Sequence, residues 1–163
     1  MVVISMDMTN QREANGCLEG SELGDTGDTL AFHLSRAWIR FHNTYADALR
    51  PLQLTPSRML GLAYLVYNDD ADQATLGRSL GINRASTMAL VDKLQAAGYA
   101  VRKEGADKRT HALAATAQGR VAYRKGMELE RRIEQALLQG ISRADVEHLR
   151  FCLAKVACSD ASI

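Results

Sequence analysis

Most of the chemistry available to this sequence lies in its cations. Residues 78–127 hold ten Lys/Arg against three Asp/Glu, while residues 1–77 hold five against ten. A basic block between acidic flanks suits an anionic partner, most simply the phosphates of nucleic acid. Its most charged stretch is "EGADKRTH", residues 104–111, where Asp107, Lys108 and Arg109 stand side by side. Groups for making and breaking bonds are sparse. His33, His42, His111 and His148 are scattered, and there is no H-E-x-x-H, no Cys/His cluster and no glycine loop of phosphate-binding type. Cys17, Cys152 and Cys158 lie far apart without a C-x-x-C, so neither a zinc module nor a disulfide framework is indicated. These residues describe a binding protein and not an enzyme, with no metal and no cofactor.

The elements that position the cations follow from periodicity and punctuation. The chain has 163 residues, 47% apolar and 24% charged, which suits one soluble domain with a real core. No stretch approaches the roughly 20 apolar residues of a membrane span. The start lacks the basic region of a signal peptide, so a cytoplasmic location is expected. Residues 1–27 have no apolar period and are expected to form a mobile tail. One domain is expected over 28–163. A helix over 28–50 carries Leu30, Leu34, Ala37, Phe41, Tyr45 and Leu49 at three- and four-residue steps, and Pro51 ends it. Thr55 and Pro56 open a second helix. Two more are expected at 117–139, after the cap residue Thr116, and at 142–158, with a stripe of Val146, Leu149, Leu153 and Val156.

Residues 73–98, "QATLGRSLGINRASTMALVDKLQAAG", fit the spacing of a DNA-binding helix-turn-helix. A short helix at 73–80 and a longer one at 84–97 flank a turn at Gly81–Asn83. Gly77 is small where the helices cross, Gly81 tolerates positive φ, and Asn83 caps the second helix. "YAVRK" and "THALAAT" alternate as strands of a hairpin whose tip is the opening stretch. A helix-turn-helix followed by a hairpin is a winged helix, here over 55–115. The fold class is therefore mainly α with a small β-hairpin wing: a winged helix-turn-helix lobe plus a helical dimerisation region. Candidate DNA contacts are Asn83, Arg84, Ala85, Ser86, Thr87, Met88, Ala89 and Lys93 on the second helix, with Lys108 and Arg109 at the wing tip. Thr87 is included although, at 100° per residue, it shares a face with Leu90 and Leu94. Asp107 is expected to stabilise the wing by pairing with Arg109 or Arg102.

The stretch "LGRSLGINRASTMALVDKLQAAGYAVRKEGADKRTHALAATAQGR" resembles the core of the MarR family of transcriptional regulators. The matching residues are Leu80-Gly81-Ile82, Leu94, Gly98, Val101 with Arg102, Asp107-Lys108-Arg109, and Thr116-x-x-Gly119. Met88 and Ala89 stand where the family often has Ser/Thr and Arg. The resemblance implies a homodimer built from helices 28–50, 117–139 and 142–158, bound to a pseudo-palindromic double-stranded operator. It implies a repressor released by a small molecule, often an aromatic or phenolic acid or its coenzyme A thioester. Trp38, Arg40, His42, Tyr45, Arg58 and Met59, on or beside the apolar stripes of the first two helices, are the residues chosen for that aromatic anion. Two other readings remain: an oxidant-sensing regulator acting through Cys17, and a helical interaction protein that does not bind DNA.

Overall fold

The computed structural model describes residues 24–104 and 111–159. The chain divides into two units, Met1–Arg40 and Phe41–Ile163. In the first, a 3-10 turn at Gly24–Asp28 precedes α1, Leu30–Leu49. The Thr29 hydroxyl accepts the Phe32 amide at 3.2 Å, so the helix starts two residues later than Asp28. The turn takes in residues 24–27 of the expected tail; the rest of that tail, 1–23, lies outside the described residues. The boundary between the units lies inside the span 28–163 expected as one domain. The division falls within α1, where exposed side chains such as Trp38 and Ile39 give way to the buried Tyr45 and Leu49.

The second unit holds the end of α1, a 3-10 turn at Arg50–Leu52, α2 (Pro56–Tyr67), β1 (Ala71–Asp72), α3 (Gln73–Leu80) and α4 (Arg84–Ala96). It continues through β2 (Ala100–Glu104), β3 (His111–Ala115), α5 (Ala117–Leu137) and α6 (Arg143–Ala157). Each helix from α2 onward starts on a side chain that satisfies an orphan backbone amide. Thr55 accepts from Arg58, Asp72 from Thr75, Asn83 from Ser86, Thr116 from Gly119 and Ser142 from Asp145. Leu49, Leu62, Leu65, Leu76, Leu94 and Leu113 are the largest aliphatic side chains of the core and are all but inaccessible to water.

The sheet has three strands and not the expected two, in the order β1-β3-β2, all antiparallel. The missed strand is two residues long, with Ala71 opposite Leu113 and Asp72 opposite Ala112. Two residues carry no readable alternation, and "NDDAD" reads as a helix break. Asp70 takes a left-handed backbone, φ 61°, just before it. The hairpin proper pairs Ala100 with Ala115 and Glu104 with His111.

The crossing of α3 and α4 depends on Gly77. A Cβ at that position would sit 2.6 Å from the Thr87 hydroxyl and 3.3 Å from the Ile82 carbonyl oxygen. Neither neighbour can yield easily, because Thr87 Oγ1 is bonded to the Asn83 carbonyl at 2.8 Å and Ile82 is backbone. Gly77→Ala is therefore expected to destabilise the fold by about 1–3 kcal/mol through overpacking. Urea unfolding of the variant beside the wild type measures it, and an unchanged midpoint would refute the tight crossing.

Candidate nucleic-acid interface

The turn between α3 and α4 is set by its own residues. Gly81 closes α3 in the left-handed region, φ 64°, and its amide donates back to the Arg78 carbonyl. Asn83 then adopts an extended backbone, and its side-chain oxygen accepts the Ser86 amide at 2.9 Å. At the head of α3, Asp72 accepts from the amide of Thr75 at 2.7 Å and from its hydroxyl at 2.9 Å. Those bonds, the backbone one foremost, hold the Asp72 carboxyl below its ordinary value. The Thr75 hydroxyl in turn accepts from Arg78 at 2.8 Å.

With the crossing fixed, one face of α4 goes inward and the other outward. Thr87, Leu90, Val91 and Leu94 are buried. Asn83, Arg84, Ala85, Ser86, Met88, Ala89, Asp92 and Lys93 are exposed. Thr87 is thus a correction to the list of DNA contacts: it is 1% exposed, and its hydroxyl closes the first turn of the helix. Met88, 45% exposed, is the largest apolar group on the outward face. Beside that face an open groove of about 650 Å³ runs between α3 and α4, lined by Gln73, Arg78, Gly81, Arg84 and Met88 among others. Gln73 and Arg78 were missed in the sequence, where α3 carries no mark of the side it turns to the groove.

The wing is anchored at its root. The Thr116 hydroxyl accepts the Gly119 amide at 2.9 Å and donates to the Gly98 carbonyl at 2.6 Å. A Cβ on Gly119 would collide with the Tyr99 carbonyl, so a side chain there would force the first turn of α5 off the start of β2. Arg102, on β2, pairs with Asp92 of α4 at 2.8 Å. Asp107, Lys108 and Arg109 lie outside the described residues.

The residues chosen for an effector are divided between the two units. Trp38 and Arg40 are exposed residues of the first unit. Tyr45 and Met59 are core residues of the second, 5% and 4% exposed, which corrects their assignment as ligand contacts. The Tyr45 hydroxyl donates to Glu130 at 3.2 Å, and burial, with the Glu130 charge, raises its pKa well above the ordinary phenol value. His42 is half-buried. Arg58 is half-buried and donates to the Gln53 carbonyl at 3.2 Å. Helical period alone does not separate a side chain that lines a pocket from one that fills the core. A different aromatic surface exists where α2 meets α5. The Tyr67 and Tyr123 rings stand edge to face, 5.8 Å apart, and Tyr123 donates to the Tyr67 hydroxyl at 3.3 Å. That bond and burial push Tyr123 up to about 12. An open concavity of about 680 Å³ beside them is lined by Arg124, Lys125 and Arg131.

Among known proteins, a family model described as MarR family matches residues 52–110. The transcriptional repressor CouR, in a structure with a 23-mer DNA duplex, superposes with a TM-score of 0.77 at 29% identity. That match covers 85% of this chain and 99% of CouR. Residues 52–110 thus match the MarR family, and the fold is that of MarR-type transcriptional regulators. CouR bound to p-coumaroyl-CoA matches the MarR-type chain at 27% identity and a TM-score of 0.75, covering 86% of this chain and 100% of that one. A probable transcriptional regulator from Pseudomonas aeruginosa matches at 26% identity and 0.71, covering 80% and 98%. No curated protein matches the chain. No helix among the described residues is long and apolar enough to cross a membrane.

Proposed function

We propose that this regulator is a cytoplasmic, sequence-specific DNA-binding repressor that works as a homodimer and is released by an aromatic anion. The observation that carries the reading is the outward face of α4. A helix of 13 residues presents Arg84, Ala85, Ser86, Met88 and Ala89 to solvent while its other side is locked into the core. A recognition helix in a major groove needs that division. The centre of the face is apolar, so Ala85, Met88 and Ala89 contact thymine methyls, while Arg84 and Ser86, near the positive helix start, hold a base edge or phosphates. Lys108 and Arg109 reach the backbone or the adjacent minor groove, whose negative potential draws such groups.

The homodimer reading is supported by α6. It buries no residue within its own chain, and Leu149, Leu153 and Val156 are 44%, 39% and 52% exposed. An apolar stripe that finds no cover among the described residues fits an obligate interface. Cys152 on this helix and Cys158, the residue that caps its end, are also exposed. The release reading is supported by CouR, which binds p-coumaroyl-CoA. The Tyr67–Tyr123 surface with Arg124 and Lys125 has groups for a ring and for an anion. A phenolic acid or its coenzyme A thioester is the ligand class proposed.

Enrichment of duplexes from a random library tests the DNA reading, with half-sites centred about 10 bp apart expected. Binding of the enriched duplex is then followed as salt is raised. Arg109→Ala should weaken binding and flatten the salt dependence by about one counterion per protomer. Normal affinity and slope in that variant would remove the wing from the interface. Light scattering should give a particle of twice the chain's 17.9 kDa, and a monomer would contradict the dimer.

A further inference from the structure

Asp92 is out of place on a DNA-reading face. It lies one turn beyond Met88 and Ala89, on the same side of α4, with its side chain 56% exposed. When the start of the helix reads base edges, a residue two turns on lies near the groove rim, where phosphates line the backbone. A bare carboxylate there meets like charge. The structure sets one cation against it: Arg102 Nη2 lies 2.8 Å from Asp92 Oδ1. Among the described residues this is the one ion pair that joins α4 to a wing strand. Lys93, the next residue along, projects about 100° away and does not face the carboxylate. An exposed pair of this kind adds little to stability, so holding the fold together is a weak account of it.

We propose that Arg102 masks Asp92, cancelling the carboxylate so that the recognition helix can seat against DNA. Arg102 is held for this task by the sheet. It stands opposite Leu113 in the β2–β3 ladder, two residues on from the buried Ala100, so that its stem lies on the face of β2 turned to the core. Strand β2 thereby delivers a guanidinium to the flank of α4, and the wing root and the reading face act as one electrostatic unit. Arg102 is a positioning residue in this account and makes no phosphate contact of its own. Asp92 in turn restricts where α4 docks, because any register that draws Arg102 away leaves the carboxylate facing phosphate.

This inference rests on the DNA-binding reading, and a double-mutant cycle separates the two. The probe is the duplex that wild-type protein enriches from a random library, read by fluorescence anisotropy over a range of salt. Arg102→Gln should weaken binding by about tenfold, since it uncovers the carboxylate. Asp92→Asn should change it by no more than about threefold, and the double variant should return close to Asp92→Asn. The salt slope should be the same for wild type and the double variant, because no phosphate contact is lost. Arg102→Met, with and without Asp92→Asn, repeats the comparison while keeping more of the stem's packing. A double variant as weak as Arg102→Gln, with a flatter salt slope, would overturn the mask and make Arg102 a phosphate contact. Equal losses in all three variants would also overturn it, leaving a purely structural pair. If the wild type enriches no duplex, the DNA-binding reading fails and the mask falls with it.

Discussion

The approach of Gly77 to Thr87 is the contact on which the outward face of α4 depends. Only a residue without Cβ lets the Thr87 hydroxyl lie against the backbone of α3. That hydroxyl is spent on the Asn83 carbonyl, and the Asn83 side chain on the Ser86 amide, so the first turn of α4 is fixed by its own groups. Once Thr87 points inward, the helical period leaves no choice for the others. Leu90, Val91 and Leu94 follow it into the core, and Ala85, Met88 and Ala89 face out. The outward face is here a by-product of packing: it is whatever the locked side leaves over.

A second set of bonds carries that geometry into the wing. The Tyr99 amide donates to the Leu94 carbonyl at 2.8 Å, turning the chain straight from α4 toward β2. The Tyr99 hydroxyl reaches the Leu52 carbonyl at 2.8 Å, beside the start of α2. Thr116 closes the same junction from the other strand, through its amide to Tyr99 and its hydroxyl to Gly98. The wing strands, α4 and α5 therefore leave one point, and a shift in α5 has a short path to the reading head. Asp69, which binds Arg120 of α5, and Asp70, which lies 3.6 Å from Lys103 of β2, tie the turn before β1 to both elements.

Local signals made much of this legible. Asn83, Thr116 and Ser142 act as caps because a cap is a matter of three residues, and Gly81 announces its left-handed turn by having no side chain. Residues whose role depends on distant partners were not legible. Tyr45 and Met59 show the same helical period whether they line a pocket or fill the core, and only the packing of α5 decides for the core. Strand β1 is too short to alternate. Arg102, beside Val101, belongs to the stretch that resembles the family, yet its partner is Asp92, ten residues earlier on another element, which spacing does not reveal. Thr87 was ambiguous because a hydroxyl suits both a base edge and a helix's own carbonyl, and Gly77 decides between them.

The most direct measurement of the account is methyl NMR on protein with labelled methionines, titrated with duplex DNA. Met88 is 45% exposed at the centre of the outward face, and Met59, 4% exposed in the core, serves as the internal reference. The Met88 methyl should shift strongly as the duplex binds and show contacts to thymine methyl protons, while Met59 stays nearly still. Tight duplex binding with an unmoved Met88 signal would place the DNA on another surface and contradict the claim that the outward face of α4 reads it.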